Sequence, residues 1–121
     1  MTEPDYIESS YSNGAVVIRF KSGVYFDFMK LQATTDYLIA LVNHKNCSHM
    51  IIDMDTIESL SSQLLNCLVS VKQGILADKK WLKLCCLHSH PLEILRVTHL
   101  ERQFELYKDL KSALESCKPV R

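Results

Sequence analysis

Met50-Ile-Ile-Asp-Met-Asp-Thr-Ile-Glu-Ser-Leu-Ser-Ser-Gln-Leu-Leu65 changes its hydrophobic period part-way along. The run from His49 to Met54 is short, continuous and apolar and ends in carboxylates, as in a central strand covered on both faces. After it, Ser59, Ser61 and Ser62 offer hydroxyls suited to capping. Leu64, Leu65, Leu68, Val69, Val71, Ile75 and Leu76 then repeat at three and four residues, which predicts the strongest helix of the chain. A covered strand leading through a short polar loop into an amphipathic helix is half of a parallel crossover unit. The loop, with Asp53, Asp55, Thr56, Glu58 and Ser59, then lies on an exposed edge at the helix start.

Outward from this unit the same alternation continues. Upstream, Ala15-Val-Val-Ile-Arg-Phe20 reads as a strand, and residues 24–28 read as its antiparallel partner across a Ser22-Gly23 turn. Over residues 30–43, Leu31, Leu38, Leu41 and Val42 fall at helical spacings. Downstream, Trp81-Leu-Lys-Leu-Cys-Cys-Leu87 reads as a strand, and Pro91 suits the first position of a helix carrying Leu92 and Leu95. Residues 104–107 suit a short edge strand, and Leu110, Ala113, Leu114 and Cys117 mark a last helix that stops before Pro119. The expected fold is a single α/β domain, a mostly parallel mixed sheet with an N-terminal hairpin and helices packed on it. Its expected extent is residues 14–117, with a polar lead over 1–13 and a tail over 118–121.

The composition narrows the function. The chain has 121 residues, 47% hydrophobic and 23% charged, within the globular range and long enough for a core without disulfides or a structural metal. Lysine plus arginine (14) balance aspartate plus glutamate (14), so the basic surface that nucleic-acid binding requires is not expected. Five cysteines without CxxC spacing, mostly in apolar runs, read as free thiols in a reducing compartment. The acidic, polar start is unlike a secretory signal, and no apolar run approaches the roughly 20 residues of a membrane span, so a cytoplasmic location is expected.

The 50–65 stretch resembles the central motif of STAS domains, the module of sulfate transporters and bacterial anti-sigma factor antagonists. In that family an apolar strand ending in Asp or Asn leads to Asp-Ser-Ser/Thr-Gly-Leu at a helix start. The resemblance extends to the order of elements over most of the chain. Without a gap, Asp53, Ile57 and Leu60 take the strand-end polar and loop apolar positions, and Ser62 takes the position of the serine that family kinases phosphorylate. Ser61 then stands where the motif has aspartate, Gln63 where it has a second hydroxyl, and Leu64 where it has glycine. With a loop one residue shorter, Ser61 becomes the acceptor. The resemblance implies a non-enzymatic bacterial binding protein without a cofactor. Its partner would be an anti-sigma factor with serine-kinase activity, or other proteins of a STAS complex, bound when the serine is bare and released when it is phosphorylated. It leaves the oligomeric state open, a dimer among the options.

The physics of such a switch does not need the family. A helix amino terminus presents unpaired N–H groups and the positive dipole end, so phosphate there is tolerated by the fold. It adds about 1.5 to 2 negative charges to an acidic edge, and a docked partner then meets like-charge repulsion. The bland role of Ser61 and Ser62 is N-capping alone, and a STAS scaffold subunit without phosphorylation is the alternative function.

Other constellations carry less. Cys85, Cys86, His88 and His90 have metal-ligand types, but side chains alternate along a strand, so Cys85 and Cys86 are expected on opposite faces and no metal site is assigned. A cysteine nucleophile with His44, His49 or His99 lacks an electropositive setting. Lys72, Lys79, Lys80 and Lys83 give the region after the central helix a basic cast able to attract an acidic partner surface, and a solvated helix end beside the negative dipole terminus explains them at least as well.

Overall fold

The computed structural model describes residues 3–12, 14–22, 27–44, 48–76 and 81–117. Five strands form one sheet in the order β1 (Ile7–Ser12), β2 (Ala15–Phe20), β3 (His49–Asp53), β4 (Trp81–Cys85) and β5 (Glu105–Tyr107). The pair β1–β2 is antiparallel, and β2–β3, β3–β4 and β4–β5 are parallel. The helices are α1 (Phe28–His44), α2 (Ser62–Leu76), α3 (Ser89–Val97) and α4 (Leu110–Glu115), with one 3₁₀ turn over Glu101–Gln103.

Because each parallel crossover steps one place along the sheet in the same direction, right-handedness puts α1, α2 and α3 on one face. The main core follows: Leu31, Leu38, Leu41, Leu64, Leu68, Val71 and Leu95 pack with Val16, Ile18, Phe20, Met50, Ile52, Leu82 and Leu84. The opposite face holds a smaller cluster in which α4 brings Ala113 onto Ala15, Val17, Ile51 and Cys85. The two alternating sets of β2 and β3 are thus both buried, which is why these strands read as unbroken apolar runs. On the main face α1 and α2 run close together at Gly74, where a Cβ would come within 2.7 Å of Ile39 Cδ1.

The hairpin is built from different residues than the sequence predicts. The antiparallel partner of β2 is β1, which comes from the expected polar lead and pairs Ile7 with Phe20 through to Ser12 with Ala15. Residues 24–26 of the expected partner lie outside the described residues, and Phe28 already opens α1, where Asp27 Oδ1 accepts the Lys30 N–H at 2.8 Å. As an edge strand β1 buries only Ile7 fully, so its polar sequence carries no alternation. Strand β4 stops at Cys85 instead of running to Leu87. Helix α3 starts at Ser89 with His88 as N-cap, which makes Pro91 its third residue, still within the turn whose N–H groups have no helical acceptor.

Candidate functional site

All parallel strands end on one edge of the sheet, so the β3–α2 loop over residues 54–61 and the β4–α3 loop over residues 86–88 lie side by side. The β3–α2 loop is held by burying every third residue, Met54, Ile57 and Leu60, while Asp55, Glu58, Ser59 and Ser61 of the loop and Ser62 at the start of α2 stay exposed. Its backbone is pinned at each step. Met54 N–H donates to Cys85 O at 2.9 Å, Ile57 N–H to Met54 O at 3.0 Å, and the Thr56 hydroxyl to Phe20 O at 2.7 Å.

Two histidines clamp the loop from its neighbour. His88 Nε2 lies 2.6 Å from Asp55 O, a carbonyl that only accepts, so Nε2 is the donor. Leu60 N–H donates to His90 Nδ1 at 3.1 Å, which places that ring's proton on Nε2. Each histidine satisfies a backbone group of the loop, and the signal for this was topological, because parallel strands deliver successive β–α loops to the same edge.

Asp53 was expected among the exposed loop acids, and the structure corrects this. It is 1% exposed, and its Oδ2 receives Arg19 Nε at 3.0 Å and Nη2 at 2.6 Å while Oδ1 accepts the Asp55 N–H at 3.0 Å. The hydrogen bond and charge of Asp53 raise the Arg19 pKa above its ordinary value. Asp53 therefore supports the loop from beneath, and the exposed acids of the edge reduce to Asp55 and Glu58. Arg19 is the partner of Asp53 that sequence reading missed.

At the helix start the two serines divide the work. Ser61 is the cap: its Oγ accepts the Leu64 N–H at 3.1 Å and its carbonyl accepts the Leu65 N–H at 2.9 Å. Ser62 is the first residue of α2, with its hydroxyl exposed and 3.5 Å from Gln63 Oε1. Beside it, Gln63, Asn66, Cys67 and Ser70 of α2 face Phe28, Leu31 and Thr35 of α1 across a cleft of about 270 Å³. Phe28 and Met29, at the start of α1, are 77% and 79% exposed.

With this geometry in place, the comparison with known families is decisive. The STAS domain model matches residues 6–113. This chain belongs to the STAS domain family. The fold recurs in solved structures. An anti-sigma factor antagonist (STAS) domain protein from Planctomyces limnophilus has a TM-score of 0.79 at 20% identity, over 92% of this chain and 97% of that one. An anti-sigma factor antagonist from Mycobacterium paratuberculosis gives 0.74 at 22%, over 97% and 98%. The Bacillus cell fate determinant SpoIIAA in its phosphorylated form gives 0.70 at 10%, over 93% and 99%. At these identities the likeness is one of fold. No curated protein matches the sequence. No helix among the described residues of this STAS domain is long and apolar enough to cross a membrane.

Proposed function

We propose that this STAS domain is an anti-sigma factor antagonist, a non-catalytic cytoplasmic binding protein of a bacterium. Its hold on a partner is switched by phosphorylation of Ser62. The observation that carries the reading is the division of labour at the α2 start: Ser61 is committed to the cap, which leaves the Ser62 hydroxyl exposed and outside the cap bond. Phosphate on Ser62 sits at the positive end of a 15-residue helix and leaves the cap bond untouched. The same phosphate adds about 1.5 to 2 negative charges beside Asp55 and Glu58. The fold survives and the docking edge becomes more negative. About 3 kcal/mol of repulsion and desolvation at an interface is over a hundredfold in affinity.

The partner in this reading is an anti-sigma factor with serine-kinase activity, which docks on Asp55, Thr56, Glu58, Ser59 and the α2 start. Phe28 and Met29 give that edge an apolar flank of the kind that marks protein contacts. They also favour a second reading, a STAS scaffold subunit that holds its neighbours constitutively, because an apolar flank is not governed by a phosphate. Calorimetric titration of a candidate anti-sigma kinase separates the two. The switch requires Ser62→Ala to bind like the wild type and Ser62→Asp to bind at least tenfold more weakly. Equal binding by both variants leaves the scaffold.

A further inference from the structure

At the C-terminal ends of β3 and β4, the strand alternation that would separate Cys85 from Cys86 fails. Strand β4 stops at Cys85, and Cys86 adopts a φ of 61°, in the left-handed region. That turn swings the second thiol back toward the first. The Sγ atoms of Cys85 and Cys86 and a carboxylate oxygen of Asp53 lie within 4.8 Å of one another. The expectation that the two thiols face opposite ways is thereby corrected, and the group that forms is not the one the sequence offered: His88 and His90 are engaged with the loop backbone, and Asp53 takes their place.

We propose that Asp53, Cys85 and Cys86 form a binding site for a thiophilic divalent cation of the zinc and cadmium class. Ligand atoms sharing one such ion stand about 3.3 to 3.8 Å apart, given metal–sulfur bonds of about 2.3 Å and metal–oxygen bonds of about 2.1 Å. The three atoms here need to close by little more than an ångström. Two thiolates and a carboxylate suit this class and exclude magnesium and calcium, which take oxygen ligands.

Charge also balances. In the metal-free protein the Asp53 carboxylate is matched by the Arg19 guanidinium. Binding exchanges one M²⁺ for two thiol protons, M²⁺ + 2 RSH giving M(SR)₂ + 2 H⁺, so the site stays neutral: two thiolates and one carboxylate against M²⁺ and Arg19. Access is from the side of Cys86, which is partly exposed while Cys85 and Asp53 are buried. Since Met54 N–H rests on Cys85 O and Asp55 N–H on Asp53 Oδ1, the ion would stiffen the root of the β3–α2 loop. The inference stands on these three residues and is independent of whether Ser62 is phosphorylated.

The test is a titration of the reduced full chain with Cd²⁺ alone and Zn²⁺ alone. One ion per chain should bind, with a thiolate-to-cadmium ultraviolet band and two protons released per ion. Cys86→Gly removes a ligand while relaxing a left-handed residue, so its fold is kept or improved, as a thermal melt will register. It should weaken binding by roughly a hundredfold or more. Cys67→Ser, a change in the α1–α2 cleft, should leave binding as it was. No stoichiometric uptake, uptake that survives Cys86→Gly, or a loss of two hydrogens in mass through a Cys85–Cys86 disulfide in place of metal binding would each overturn the proposal.

Discussion

Arg19→Met removes the guanidinium that neutralises Asp53 and leaves a buried carboxylate with one backbone N–H. Breaking a fully buried pair costs about 3 to 5 kcal/mol. Arg19 is half exposed, so water recovers part of this and a loss of about 2 to 3 kcal/mol in urea unfolding is expected. Asp53→Asn on the Arg19→Met background should recover much of that loss, because the uncompensated charge is gone. A second residue-scale prediction concerns the clamp. His90→Leu fills similar space but leaves the half-buried Leu60 N–H without its acceptor, for a cost of about 1 to 3 kcal/mol. At this scale the sequence shows which residues are polar and where strands end, but not their partners. Asp53 could be placed at a strand terminus, whereas its burial depends on an arginine 34 residues away on a neighbouring strand.

For single elements, the start of α2 makes the clearest prediction. Ser61→Ala deletes the acceptor of the Leu64 N–H and should cost about 1 kcal/mol, whereas Ser62→Ala, outside the cap bond, should stay within about 0.5 kcal/mol of the wild type. Urea midpoints of the two variants check this, and equal losses would contradict the division of labour between the serines. The elements that could be read from sequence are those with two buried faces or a full apolar stripe: β3, α2, β4 and the core of α1. Strand β1 escaped because an edge strand draws its stability from one row of hydrogen bonds and a single anchor, Ile7. The apolar residues 24–26, together with the turn signal at Ser22-Gly23, supplied a more hydrophobic rival for the same role. Cys86 escaped for a related reason, since alternation holds only while the strand continues.

For the molecule as a whole, stability should depend on pH through His49 at the start of β3. Its Nδ1 is buried with no hydrogen-bond partner among the described residues, and burial, reinforced by the nearby Lys83 ammonium and only partly opposed by Glu105, pushes its pKa below the ordinary 6.5. The unfolded chain therefore binds a proton that the native state resists. Stability from this source is present above the unfolded value and falls as pH drops from about 6.5 toward the folded one. Urea midpoints between pH 8 and 5 should decline for the wild type, and His49→Gln should flatten that decline. At this scale the fold could be read almost entirely, because alternating strand and helix periods, with right-handed crossovers, leave few topologies. The position of the β3–α2 loop, at the end where the parallel strands finish, was also legible, but its internal bonds were not.

The most direct test of the account is intact-mass measurement of the chain after incubation with an anti-sigma serine kinase and ATP, with fragmentation to locate the modification. One phosphate, carried by Ser62 and absent from Ser62→Ala, is the predicted result. A chain that stays unmodified, or a phosphate that maps to Ser61 or survives in Ser62→Ala, would contradict it.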